Sequence, residues 1–378
     1  MKYKVPLCIF LLSQTSWVIS YLLSRWNLMQ SQVSVFIAGV VTLALVTAVP
    51  YVLFLKLFKR VDPIVLVLTV FCWSCMIDLS IGLEIDGFIS NFMGFYFAEG
   101  EPYLQTAHGA VICYWDGIVH FVLGMVIITQ YTQRQSYRAV GLYWVGSILN
   151  SMIVLLPGGI AGNHPFKLSI LLNIPYLILP LLAGFKFLRE RPVGLQETKV
   201  KKFHTILNRP VDFLFFIYFI GAILLSIFRG LAVLNGNALS MKEYIKSYEP
   251  YLVDLSNFPK FQMLVYGYFF LVYYLAAAYA LLFPGQQWMA DWSLIHAGAS
   301  AQAQFSHIAG SLHHRTPMPL HPPTTGIPCL IFWLVNIILL VIPQLFAWRC
   351  YCNPESFGPI SNVGQSKHKH KIPSRKAN

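Results

Sequence analysis

Residues 63–83 read PIVLVLTVFCWSCMIDLSIGL, an apolar run whose single charged residue is Asp78. At about 1.5 Å per residue, a helix of this length spans the roughly 30 Å hydrocarbon core of a bilayer. Every backbone N–H and C=O in such a run must be bonded internally, so the segment reads as a membrane-crossing helix. Comparable runs recur at 33–55, 110–130, 140–160, 168–187, 211–233, 261–283 and 327–347. Two weaker ones bring the expected count to about ten. Residues 5–23 are interrupted by Ser13, Gln14, Thr15 and Ser16, and Lys2 and Lys4 ahead of them allow a cleaved signal peptide as the alternative. Residues 292–310 carry so many Gln, Ser and His that they suit a bundle interior or an interface rather than lipid.

Composition agrees with a polytopic, all-α membrane protein. Of 378 residues, 56% are hydrophobic and 11% charged, whereas an ordinary soluble domain has about a quarter of its residues charged. The net charge of +12 does not mark a nucleic-acid face, because the basic residues sit in short clusters between apolar runs. With loops numbered alternately, most of the 27 basic residues fall on one side, in the N-terminus, 56–60, 134–138, 186–209 and the C-terminal tail. The opposite loop at 84–109 has no Lys or Arg but carries Glu84, Asp86, Glu99 and Glu101. Both termini are therefore expected on the cytoplasmic side.

Glu-Pro-Tyr-Leu occurs at 101–104 and again, 148 residues later, at 249–252. The same offset maps Gly82-Leu83 onto Gly230-Leu231 and Trp144 onto Trp292. These landmarks predict two tandem four-helix units of parallel orientation, 61–187 and 211–350. A two-helix segment, 1–60, precedes them, a cytoplasmic linker, 188–210, joins them, and a disordered basic tail, 351–378, follows.

Ionisable groups inside a span cost about 3 kcal/mol each, so their presence needs a reason. Asp78 lies in its span's last third, and Asp116 and His120 are four apart on the next helix, hence on one face, with Trp115 adjoining. A carboxylate, an imidazole and an indole in an apolar cavity could bind a sterol amine or a cationic drug through charge and cation–π contact. The same Asp116 and His120 could act as acid and base in a double-bond shift, or could simply bond each other and lock the bundle. A second polar stripe, His296, Gln304 and His307 with Ser300, recurs at helical spacing. It either lines a headgroup path or bonds neighbouring helices. No cofactor or metal site is expected: His313 with His314 and the Lys-His-Lys-His-Lys run at 367–371 could bind metal, but a solvated, charged reading is favoured, and seven Cys without a lumenal pair predict no disulfide.

Several phrases together resemble the transmembrane 6 superfamily. They are Gly-Glu-Pro-Tyr-Leu-Gln-Thr-Ala-His-Gly at 100–109, Ile-Cys-Tyr-Trp-Asp-Gly at 112–117, Gly-Leu-Tyr-Trp-Val-Gly-Ser at 141–147, Phe-Arg-Gly-Leu at 228–231 and Ala-Gln-Ala-Gln-Phe-Ser-His at 301–307. Ile81-Gly-Leu-Glu and Leu294-Ile-His-Ala-Gly lean towards its member one over its member two. The resemblance implies two EXPERA domains, a four-helix fold shared with sterol isomerases and a sigma-type receptor. It also implies a role in triglyceride and lipid-droplet homeostasis, in the endoplasmic reticulum or alternatively the lysosome. The isomerases carry a His and, four residues on, a Glu where this chain has Asp78 and Gly82, so a lipid-binding regulator is expected ahead of an isomerase. A lipid transporter or scramblase is a further alternative. Expected partners are a sterol or other lipid and the membrane itself, with no nucleic acid and no protein partner assigned.

Overall fold

The computed structural model describes residues 3–58, 62–190, 205–234, 236, 238–283 and 285–353. Most of the expected linker and nearly all of the expected tail, including the basic run at 367–371, lie outside the described residues. Among those described, every regular element is helical, as a backbone that must close its own hydrogen bonds in lipid requires. The long helices are α1 (Lys4–Ser24), α2 (Gln32–Phe58), α3 (Pro63–Ile85), α4 (Ala107–Thr132), α5 (Arg138–Ala161), α6 (Leu168–Arg189) and α7 (Pro210–Val233). A short amphipathic α8 (Leu239–Ser247) leads to α9 (Phe258–Leu282), α10 (Met289–Leu312) and α11 (Gly326–Cys352).

Nine of these helices, all but α8 and α10, are long and apolar enough to cross a membrane. The tenth expected span is α10, which is as long as its neighbours at 24 residues. It lacks their hydropathy because it meets protein instead of lipid: His296, Ser300, Gln302, Gln304, Ser306 and His307 are all buried. At the periphery the opposite holds. Only 22% of the most apolar window of α1 and 17% of that of α2 are buried, against 67% for α3, so α1 and α2 flank the bundle and lean on α3.

Local chemistry sets the helix ends. Asp62 caps α3, its carboxylate accepting from the Ile64 N–H at 2.8 Å with Pro63 in the first turn. Thr106 caps α4 by accepting from the Gly109 N–H at 3.1 Å. Close approach of α5 and α10 depends on glycine. A Cβ on Gly146 would overlap the Ile295 carbonyl oxygen, and one on Gly298 would overlap the Tyr143 carbonyl oxygen. Beside this contact, Asn150 donates through Nδ2 to Gln302 Oε1 and, at 3.2 Å, to Gln262 Oε1.

The two Glu-Pro-Tyr-Leu stretches adopt the same local structure, a 3₁₀ turn at Pro102–Gln105 and another at Pro250–Val253. The helix after each contains one π turn, Asp116–His120 in α4 and Tyr266–Phe270 in α9. A slightly longer connection after the second turn shifts the offset, so that Tyr266 occupies the position of Asp116 at the start of the π turn. The Trp144 to Trp292 match is not structural: Trp144 is 1% exposed and packs edge-on against Phe71, whereas Trp292 is 46% exposed.

Candidate functional site

Asp78 of α3 and Asp116 and His120 of α4 open onto one cavity of about 170 Å³. The wall is completed by α5 (Ile148, Met152), α6 (Asn173, Tyr176) and the flanking α1 and α2, and no Lys or Arg contributes to it. Among the described residues Asp78 has no hydrogen-bond or ion-pair partner, and Asp116 has only His120, whose Nδ1 lies 2.5 Å from Oδ1. That contact is close in distance without being an aligned hydrogen bond. The π turn inserts an extra residue into the helical repeat at this point, a device that re-aims side chains at functional sites.

His120 is held from behind. Its Nε2 lies 2.7 Å from Ser147 Oγ and accepts from the Trp115 indole N–H at 3.2 Å, while the same N–H reaches Ser147 Oγ at 3.0 Å. An indole nitrogen only donates, so Nε2 is the acceptor and Nδ1 carries the proton towards Asp116. Trp115, expected on the cavity wall, is not there. One residue earlier on a helix is rotated by about 100°, which turns its ring to α5 and to Phe305 of α10, 4.8 Å away. From there it positions His120 and does not line the cavity.

Sequence reasoning missed a third acid. Glu101, the first residue of the first Glu-Pro-Tyr-Leu, is 4% exposed, lines the same cavity and accepts through Oε1 from Asn173 Nδ2. Burial raises its carboxyl from 4.5 to about 7, against the opposing pull of its Tyr103, Asn173 and Tyr96 hydrogen bonds. Proline at 102 was the available signal, since it fixes the backbone that carries Glu101 inward.

Glu249, in the second copy of the motif, has a different environment. It is 1% exposed, and Oε1 accepts from Arg229 Nη2 and, at 3.0 Å, from Asn336 Nδ2, while Oε2 accepts from Tyr244 Oη at 2.8 Å. Burial pushes its carboxyl up, but the Arg229 cation and the donors around it win and hold it well below the usual range. Arg229 pairs with Glu249 inside the protein: at 1% exposure it stays there because the Glu-Pro turn brings the acid to it.

The polar stripe on α10 stands apart from the cavity. His296 stacks on Tyr273 at 4.0 Å, Gln304 Nε2 donates to Tyr266 Oη, and His307 Nε2 lies 3.4 Å from Glu249 Oε1. Its members bind neighbouring helices and the Arg229–Glu249 pair. One other group of metal-ligating type exists among the described residues, Asp86 with His313 and His314. The 227 residues separating Asp86 from His313 hide that grouping from any reading of spacing.

Fold and site thus define a multi-pass α-helical membrane protein with an acidic cavity inside one group of helices. A family model described as "Transmembrane 6 superfamily member 2-like, transmembrane domain" matches residues 15–198. The chain is 39% identical over 354 residues to transmembrane 6 superfamily member 2 of Mus musculus, covering 90% of each chain. It is 42% identical over 305 residues to the Homo sapiens protein of that name, covering 78% of this chain and 80% of the other. The chain belongs to the transmembrane 6 superfamily. These relatives bear the member-two name, and what they establish is the family rather than the subgroup. No solved structure matches the chain.

Proposed function

We propose that this protein binds a sterol or related lipid in the cavity between α3, α4, α5 and α6, and through that binding regulates neutral-lipid handling, including triglyceride and lipid-droplet homeostasis. One observation carries the reading: Asp78, Asp116 and Glu101 meet in a largely apolar cavity whose wall has no Lys or Arg. Carboxyls without a protein cation favour a ligand that brings a hydroxyl donor or a positive charge on an apolar body. The volume suits the polar end of such a molecule, whose remainder passes between α1 and α2 towards lipid; drug-sized ligands fill about 300 Å³ or more. Photo-crosslinking with a sterol probe should label peptides around Asp78 and Asp116. Equal labelling of an Asp116→Ala protein would count against the reading.

The proposal includes two EXPERA-type units, 61–187 and 211–350, supported by the paired 3₁₀ and π turns. It also includes residence in the endoplasmic reticulum membrane with both termini cytoplasmic, the lysosomal membrane being the alternative. The distribution of basic loops supports the orientation. An isomerase reading keeps one supporting observation, the Asp116–His120 pair facing the cavity. Purified protein that leaves an 8-ene sterol unconverted, beside a working isomerase, would end it. A transport reading keeps the tandem repeats as its support, while the α10 stripe lends it less, since Ser300, Gln302 and Gln304 bond other side chains and backbone of the bundle.

A further inference from the structure

The loop that leaves α10 folds over the end of α3 and is strapped there. Arg315 donates through Nη2 to the Ile85 carbonyl at 2.6 Å and through Nη1 to the Gln105 carbonyl at 3.2 Å. Beneath this strap Asp86 closes α3. Its Oδ2 accepts from Tyr114 Oη at 2.9 Å, which leaves Oδ1 buried without a hydrogen-bond partner. His313 Nε2, equally buried and without a hydrogen-bond partner, lies 3.3 Å from that oxygen, and His314 Nε2 lies 3.8 Å from it. All three donor atoms fall within 4.8 Å of one another.

We propose that Asp86, His313 and His314 form a binding site for a divalent transition-metal ion, with Zn²⁺ the best match, which clamps the α10–α11 loop to the end of α3. Two imidazoles and one carboxylate are the donor set of zinc-type ions, whereas Ca²⁺ and Mg²⁺ prefer all-oxygen shells. Ligand bonds of about 2.0 Å in a tetrahedron place neighbouring donor atoms about 3.3 Å apart. The Asp86–His313 separation already has that value. His314 Nε2, 3.8 Å from the same oxygen, has to move closer to both partners, and with its side chain 64% exposed it is free to turn. Water supplies the fourth position. Tyr114 gives the carboxylate the outer hydrogen bond that metal-binding acids usually have. The cost is small: a metal on Nε2 puts the imidazole proton on Nδ1, so the exposed 3.3 Å bond from the Arg315 backbone N–H to His313 Nδ1 opens to solvent.

The test uses full-length protein in detergent, purified without a histidine tag and carrying His368→Ala and His370→Ala to remove the tail imidazoles. Titration with Co²⁺ should saturate at one ion per chain, give the intense visible bands of tetrahedral cobalt, and lose them on addition of Zn²⁺. His314→Ala touches only an exposed ring and so leaves folding intact. It should weaken binding at least tenfold and abolish the bands, and Asp86→Asn should do the same. Undiminished affinity and bands in His314→Ala, or only the weak spectrum of octahedral cobalt in the starting protein, would overturn the proposal.

Discussion

Glu101→Gln isolates the consequence of burying an acid without a cation. The Glu101 carboxyl titrates near 7 in the folded protein against 4.5 as its ordinary value, with burial as the main cause. Between those values the folded state keeps a proton that the unfolded state has released, so stability is fully present below pH 4.5 and falls as pH rises through about 7. The displacement corresponds to about 3 kcal/mol, a change in Tm on the order of 5 °C. Glutamine preserves the side-chain shape and the acceptor for Asn173 but stays neutral at every pH. Thermal unfolding in detergent, followed by intrinsic fluorescence between pH 5 and 8, should show the wild-type Tm falling across the range and the Glu101→Gln curve markedly flatter. The difference between the two proteins removes contributions from histidines. Equal slopes would refute the claim that burial raises this carboxyl.

Arg229→Met should cost about 3 to 5 kcal/mol, because it leaves Glu249 charged and buried; adding Glu249→Gln should restore most of the loss in the same thermal assay. Gly146→Ala and Gly298→Ala should each destabilise the α5–α10 contact by several kcal/mol, since the new Cβ meets backbone that cannot move aside; unchanged Tm in both would show that the helices do not approach as described. Ile81→Arg, on the cavity wall, should pair with Glu101, flatten the pH dependence described above and abolish sterol labelling while the protein stays folded; retained labelling would count against the cavity as the binding site.

The spans were legible because bilayer thickness imposes one length and one composition on each of them. The α10 span was harder to read, since a helix enclosed by protein can be as polar as its partners allow, and hydropathy records exposure to lipid rather than to protein. Asp116 and His120 could be placed on one face from helical spacing, whereas Asp78, on another helix, could be singled out only as a charge inside a span. Trp115 could not be assigned, because adjacent residues on a helix face different neighbours and only the packing says which. Glu101 escaped for another reason: it lies in a loop, where no periodicity reports burial. Asp86, His313 and His314 escaped because contacts between opposite ends of a chain leave no trace in spacing.

Comparison of the two Glu-Pro-Tyr-Leu acids shows what sets the surroundings of Glu101 apart from those of Glu249. At the 148-residue offset Glu101 corresponds to Glu249, and Ile81 corresponds to Arg229. Arg229 enters the second bundle, satisfies Glu249 together with Asn336 and Tyr244, and fills the space between the helices. Ile81 supplies neither charge nor donors, so Glu101 sits beside Asp78 and Asp116 with no cation, on a wall that stays open. Three acids gathered without a Lys or Arg are a cost to the fold, because a carboxyl in apolar surroundings loses more hydration than neutral donors such as Asn173 or a single imidazole restore. A structural role would be served better by the Arg229 solution already present elsewhere in the same chain. An arrangement of this kind next to a π turn is what the proposed site for an incoming donor or cation would use.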